Sequence, residues 1–317
     1  MNDQSRLYRE LTEPELKAVM ASVFPGEMLQ SFHLLAGGLF NTTYRVMTEN
    51  HDVVLRVGPV HRELLLPYEH ALMAAEALTD RLCLENGVPA STVLHLDTSK
   101  TIINRDFMVV DRIDSVPLSD PSIPEECKGA LLYECGRTVR NLHTITGPKF
   151  GRLAKIVTGH GFDSWYGAME SEFLDVFSKA EEYGIFTPAL RDRVLNFLLH
   201  HKTALDALTE PHLAHCDLWA GNILIQTVGN RYSVCAIIDG DRAMFGDPAL
   251  DIATGWLTTP EFLEGYGRNE TPDENAAARN RMYTLFFTLQ DAYIWKIEYD
   301  REDIFEENLR RLDEILA

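Results

Sequence analysis

Two neighbouring stretches decide the reading: His215-Cys216-Asp217-Leu218-Trp219-Ala220-Gly221-Asn222, and Val234-Cys235-Ala236-Ile237-Ile238-Asp239. The first has the form H-x-D-x-x-x-x-N and runs directly into Ile223-Leu224-Ile225. Asp217 and Asn222 stand at opposite ends of one short loop. The first is a carboxylate able to orient a hydroxyl and accept its proton, and the second is an amide oxygen able to ligate Mg²⁺. Three fixed residues recur by chance, so the loop alone also fits an ordinary turn with an Asp and an Asn cap. The second stretch changes the balance. It is a buried-type strand ending in a carboxylate, which is expensive to bury unless a cation or hydrogen-bond donors meet it. Asp239 lies 17 residues beyond Asn222, with room for a hairpin between them, and this marks Asn222 and Asp239 as a metal-ligand pair. Gly246-Asp247-Pro248-Ala249-Leu250-Asp251 then opens a helix. Asp247 is a candidate N-terminal cap. Asp251 either caps or turns inward to tie down the loop at 215–222, and Asp241 is either a third carboxylate near the metal or a solvated turn residue.

Outward from this centre the chain changes character. Glu13–Phe24 has helical periodicity, with Leu16, Val19, Met20 and Val23 on one face and Thr12 as a cap. Phe32–Ala36, Tyr44–Met47 and Asp52–Val57 read as strands around a Gly37–Gly38 break. Glu69–Leu84 is helical again, and Ser91–Leu96 and Phe107–Val110 are further strands. Beyond Pro117 the pattern becomes helical over Ala130–His143, Phe162–Tyr183 and Pro188–Leu208, interrupted by strands at Asn222–Gln226 and Tyr232–Asp239. A β-rich first third followed by a mainly helical remainder predicts an α+β protein of two lobes, 1–113 and 114–317, with a hinge at Asp111–Ser115.

Length and composition agree. The 317 residues, 45% hydrophobic and 24% charged, suffice for two lobes with a substantial core. Lys plus Arg number 29 against 48 Asp plus Glu, a net charge of −19. Such a field repels nucleic acid and anionic membranes, so neither is expected as a partner, and it attracts cationic solutes. The five cysteines are dispersed with no C-x-x-C pair, which argues against a disulfide framework and a zinc site. The N-terminus lacks an apolar stretch and no run approaches the length of a membrane span, so the expected location is cytoplasmic.

On these residues the chain resembles the aminoglycoside phosphotransferase and choline kinase group, which includes fructosamine kinases. The resemblance spans roughly residues 30 to 255, carried specifically by His215–Asn222 with Ile237–Asp251 in the second half and more loosely in the first. It implies a bilobal protein-kinase-like fold, with a small β-rich N-terminal lobe, a larger mainly helical C-terminal lobe, and nucleotide bound between them. The implied activity is transfer of the γ-phosphate of ATP or GTP, held with Mg²⁺, to a substrate hydroxyl. Asp217 would be the catalytic base, and Asn222 and Asp239 the metal ligands. Leu35–Tyr44 resembles the family's glycine-rich turn, in which Gly37, Gly38 and Asn41 would approach the phosphates. Val53–Val57 resembles the strand carrying the phosphate-gripping cation, here Arg56 where protein kinases use Lys. Leu72–Glu76 resembles the bracing helix, with Glu76 preferred to Glu69 as the partner of Arg56. Phe107–Ile113 resembles the lobe connector, where Asp111 and Ile113 would meet the base through their backbone.

The same catalytic residues serve more than one acceptor. A cationic, hydroxylated compound such as an aminoglycoside-like antibiotic is the leading expectation. A metabolic kinase of choline, fructosamine or amino-alcohol type is the alternative, and a nucleotide-binding pseudokinase is a third. His215 is read as a packing residue and His143 as core or surface. Met282, Leu285, Phe286, Leu289 and Tyr293 are read as lobe core. Asp291 and Glu298 are assigned to a solvated helix face, with contact to a cationic substrate as the alternative.

Overall fold

Alternating burial along Thr42–Thr48 and Asp52–Val57 suits strands with two differently packed faces, and both lie inside one antiparallel sheet. The computed structural model describes residues 5–35, 40–229, 231–253, 257–267 and 274–317. In chain order its first half comprises α1 (Glu13–Val23), β1 (Leu29–Leu34), β2 (Thr42–Thr48), β3 (Asp52–Val57), α2 (Leu72–Glu85), β4 (Val93–Asp97), β5 (Phe107–Asp111) and β6 (Val116–Pro117). The sheet order is β1-β2-β3-β5-β4. Period two sends Val53, Leu55 and Val57 into a core with Leu16, Val19 and Met20 of α1. Val54 packs on the other side, with Met73 and Ala77 of α2. Arg56 shares that side and is aimed between the sheet and α2. Thr12 caps α1 in a reciprocal capping box with Glu15.

The second half is built from α3 (Glu125–Leu142), β7 (Gly151–Arg152), α4 (Leu153–Ile156), α5 (Trp165–Glu181), α6 (Pro188–His200), α7 (Lys202–Asp206) and β8 (His212–Ala214). It continues through β9 (Ile223–Val228), β10 (Arg231–Ile237), β11 (Met244–Gly246), α8 (Ala249–Ala253), α9 (Pro260–Tyr266), α10 (Glu274–Ile297) and α11 (Glu302–Leu316). Met282, Leu285, Phe286, Leu289 and Tyr293 lie buried in its helical core, as their spacing predicts. Residues from the first half join that core. Leu7, Leu64, Leu65, Leu66 and Tyr68 are buried in it, the Tyr293 hydroxyl donates to the Leu64 carbonyl at 2.6 Å, and the Arg152 guanidinium lies 3.8 Å from the Tyr68 ring centroid. The segment between β3 and α2 therefore straps the sheet onto the helices.

The differences from the sequence reading have local causes. Pro188–Leu208 is two helices because His201 leaves helical geometry and its Nδ1 meets the Phe197 carbonyl at 2.8 Å. The predicted helix start at Glu69 falls in a 3-10 turn over Pro67–Ala71 that precedes α2. The short strands β6, β7, β8 and β11 span two or three residues each, too few to show a period.

Helices α3 and α9 cross with their backbones almost touching. A Cβ added to Gly136 would lie 2.1 Å from the Phe262 carbonyl oxygen, and one on Gly265 would lie 2.0 Å from that of Tyr133. Backbone cannot yield as a side-chain tip can, so Gly136→Ala is expected to lower stability by about 3 kcal/mol, measured by denaturant unfolding.

Candidate active site

The hairpin of β9 and β10 explains how positions 17 residues apart meet. Ile223 pairs with Ile237, and the next residue, Ile238, donates its N–H to the Asn222 carbonyl at 3.0 Å. Asp239 thus emerges beside the loop at 215–222. The Asn222 side-chain amide donates to the Asp217 carbonyl at 2.8 Å and to its carboxylate at 3.2 Å. This leaves the amide oxygen of Asn222 as its remaining acceptor.

Two non-glycine residues here take left-handed backbone, Cys216 at φ 64° and Asp239 at φ 65°. Such geometry costs on the order of 1 kcal/mol and persists where surroundings enforce it. For Cys216 the enforcement is Asp251, at the start of the helix after β11. One carboxylate oxygen accepts the Cys216 N–H at 2.6 Å, and the other accepts the His215 N–H at 2.8 Å and faces His143 Nε2 at 2.9 Å. Burial alone would raise the Asp251 pKa, but His143 and His215 outweigh it and hold it below the ordinary carboxylate value. His215 is structural, its Nε2 on the Ile238 carbonyl at 3.0 Å and its Nδ1 receiving the Asp217 N–H at 3.3 Å. His143, read from sequence only as core or surface, is the outer brace of Asp251 and also meets the Tyr266 hydroxyl at 2.8 Å. Asp247 accepts the Ala249 N–H at 3.0 Å and additionally binds Arg279 and the Tyr283 hydroxyl.

Arg56 enters from β3. Its Nη2 lies 3.1 Å from Glu76 and also donates to Asp239. Glu69 is directed elsewhere, accepting the Leu66 N–H at 2.9 Å and lying 3.4 Å from Arg242, so Glu76 is the partner of Arg56. Burial would lower the Arg56 pKa, but Asp239, Glu76 and Asp241 carry it above its usual value. Asp239 would be raised by burial, yet the charge and hydrogen bond of Arg56 hold it low. Glu76 lacks so direct a bond, and burial pushes it up to about 8 despite Arg56. Burial also raises Asp217, opposed by Arg242 and reinforced by Asp239. Oxygens of Glu76, Asp239 and Asp241 all lie within 4.8 Å of one another. Asp241 is buried there, which excludes the solvated-turn reading.

Other predicted positions divide. Asn41 is buried just before β2, with a side-chain oxygen that has no hydrogen-bond partner among the described residues. Asp111 ends β5 and accepts the Thr92 N–H at 2.5 Å, and the Ile113 carbonyl accepts from the Ser115 hydroxyl at 3.2 Å. Gly37 and Gly38 lie outside the described residues. The assignment of Glu298 to a solvated face is overturned: it is 0% exposed, and burial with the neighbouring Glu69 drives its pKa well up. The cause is the strap, which brings Glu69 against Glu298 just beyond the end of α10. Asp291 does reach solvent, but crowding by protein raises its pKa to about 6, opposed by Arg242 and Arg311 and reinforced by Asp217. It therefore sits within electrostatic reach of Asp217. Sequence reasoning passed over Arg242, whose guanidinium donates to the Tyr68 hydroxyl at 3.0 Å. Its place in Asp239-Gly240-Asp241-Arg242, directly after the acidic strand end, was the available signal. Trp219, two residues past Asp217, is 42% exposed and folds over Gly221, where a Cβ would meet the indole at 2.3 Å.

Comparison with known proteins places the chain in a family and a fold. The model of the phosphotransferase enzyme family matches residues 31–282. A protein named "Probable ketoamine kinase" from Enterococcus faecium is 27% identical over 160 residues, covering 47% of this chain and 56% of the relative. Another of that name from Lactiplantibacillus plantarum is 23% identical over 284 residues, covering 82% and 87%. Among solved structures, a protein assigned as a fructosamine-3-kinase from Haemophilus somnus superposes with a TM-score of 0.68 at 17% identity, covering 95% of this chain and 97% of that one. A thermostable form of an aminoglycoside phosphotransferase, in complex with AMP-PNP and hygromycin B, superposes with a TM-score of 0.66 at 19% identity, covering 95% and 98%. The fold is the kinase-like one. No described helix is long and apolar enough to cross a membrane.

Because Asp251 accepts two backbone N–H groups of the loop, Asp251→Asn offers one acceptor oxygen for two donors. The variant is expected to lose about 2 kcal/mol of stability and most of its turnover. The stability loss should shrink as pH falls below about 4, where the low-pKa wild-type carboxylate gives up its advantage.

Proposed function

The chain belongs to the phosphotransferase enzyme family, and on that premise we propose that it transfers the γ-phosphate of a nucleoside triphosphate to a hydroxyl of a small sugar-amine of the ketoamine class. The observation that carries this reading is that the Asn222 amide holds Asp217, the Ile238–Asn222 backbone bond brings Asp239 beside them, and Asp239 in turn meets the Arg56–Glu76 pair. Asp217 is read as the base. Its carboxylate is held by the Asn222 amide, and it would accept the proton of the acceptor hydroxyl as the new O–P bond forms. Carboxylate and amide oxygens are hard donors that suit Mg²⁺, and Asp239 with the Asn222 amide oxygen would hold it. When bound, that ion supplies neutralisation of charge on the triphosphate. Arg56, braced by Glu76, would grip the phosphates, as would backbone near Asn41. The connector at Asp111–Ile113 would meet the base of ATP or GTP.

The acceptor class rests on three supports. Both curated relatives carry ketoamine kinase names. Asp291 offers a carboxylate near Asp217 for an amine. Trp219 offers an exposed ring two residues from the proposed base, on which a sugar or a cation can lie. The ketoamine kinase names of the curated relatives favour the sugar-amine over the antibiotic first expected.

A coupled assay with ATP and GTP against a fructosyl-amine, kanamycin, hygromycin B and choline tests the proposal. Highest kcat/KM is expected with the fructosyl-amine, and turnover confined to an antibiotic would overturn the acceptor assignment. Asp217→Asn is expected to lower kcat by roughly a thousandfold or more while nucleotide Kd stays within about twofold. Near-normal kcat in that variant would remove the mechanism. Asp291→Asn should raise the KM for a cationic acceptor by about tenfold with little change in kcat. In the wild type the same KM should climb as pH falls through about 6, since protonation discharges Asp291, and in the variant this dependence should be lost.

A further inference from the structure

Arg56 does more than face Glu76: its Nη2 donates to Asp239, the carboxylate assigned above to the metal. The guanidinium is buried at 11% side-chain exposure and is surrounded by acid. Glu76 approaches from α2, Asp239 from the end of the β10 segment, and Asp241 from the turn after it. Asp80, one helical turn beyond Glu76 and also buried, lies within electrostatic reach of Arg56 and Asp239. A guanidinium on Oδ1 of Asp239 weakens the hold of that carboxylate on a divalent cation, because two positive centres a few ångströms apart repel in a poorly solvated site.

The surroundings restrict how this conflict can be relieved. The Thr79 hydroxyl, on α2 beside Glu76, donates to the Gly240 carbonyl at 2.9 Å, immediately after Asp239. A Cβ on Gly240 would lie 2.5 Å from the Thr79 methyl, so helix and turn are in close contact. Helix α2 and the 239–241 turn therefore form one body, and the movable part is the long Arg56 side chain. A single nitrogen, Nη2, bridges Glu76 and Asp239, which leaves the other donors of the guanidinium fork for incoming phosphate oxygens.

We infer that Arg56 is a built-in placeholder for the divalent cation at Asp239, which keeps the metal out until nucleotide phosphates draw the guanidinium away. The inference rests on the metal role proposed for Asp239. It makes metal entry conditional on nucleotide, with Glu76 as the pivot that retains Arg56 while Asp239 changes partner.

The test is made on the full chain without nucleotide or acceptor, so that it does not depend on turnover. Mn²⁺ is titrated and the free ion is followed by electron paramagnetic resonance. Arg56→Gln is expected to bind Mn²⁺ at least about tenfold more tightly than the wild type, with the gain cancelled in the double variant Arg56→Gln/Asp239→Asn. Equal affinities in wild type and Arg56→Gln would overturn the placeholder, as would a gain that survives loss of Asp239. A second measurement is read on the wild type. The Arg56 Nε–H resonance of the wild type, assigned by its absence in Arg56→Lys, should stay in place under millimolar Mg²⁺ alone and move when AMP-PNP is added with it. A shift under Mg²⁺ alone overturns the inference. A protein that transfers no phosphate to any acceptor could still pass both measurements, so failure of the kinase reading and failure of the placeholder are separable.

Discussion

The centre of this protein depends on carboxylates that are taken out of water and satisfied by fixed donors. Asp251 is the clearest case. Its two oxygens collect the N–H groups of His215 and Cys216 and the imidazole of His143, and this network holds Cys216 in left-handed backbone. From that constraint follows the direction in which Asp217 leaves the loop. An unpaired buried carboxylate would be costly, so the network is an obligation of the fold as well as a scaffold for chemistry.

A second set of buried charges joins the sheet to the helices. The strap between β3 and α2 lays Tyr68 under Arg152 and directs Tyr68 and Glu69 toward Arg242. Arg242 in turn lies close enough to Asp217 and Asp291 to oppose the rise in their pKa values. One cation thus couples a structural strap to the proposed base and the proposed acceptor subsite. Arg56 plays the matching part on the proposed nucleotide side, linking β3 to α2 and to Asp239. The protein places its cations at the joints between elements, although its surface as a whole is strongly acidic.

Seen this way, the proposed chemistry asks little of any single side chain beyond position. Phosphoryl transfer is promoted mainly by alignment and charge neutralisation. The elements that supply alignment are rigid: the β9–β10 hairpin, the Thr79–Gly240 contact and the close α3–α9 crossing. The groups free to change partner, Arg56 and the exposed Trp219 and Asp291, are those facing where ligands would enter.

Much of this was legible in the chain. The H-x-D-x-x-x-x-N loop, the apolar strand ending in Asp239 and the switch from period two to helical spacing carry the kinase-like fold. Capping of α1 by Thr12 and the burial of Met282, Phe286 and Tyr293 are local consequences of residue type and spacing, and so appear in sequence. The preference for Glu76 over Glu69 could be drawn from the chain but not fixed by it, and the buried fate of Glu298 and the brace from His143 were not legible. Each depends on which distant segment arrives opposite: Glu69 sits seven residues before Glu76 on neighbouring turns, and only the path of the strap sends one to Arg242 and the other to Arg56. Local sequence determines what a side chain can bond to, and tertiary packing decides which partner comes within reach, because partners far apart in sequence meet only when the chain has closed upon itself.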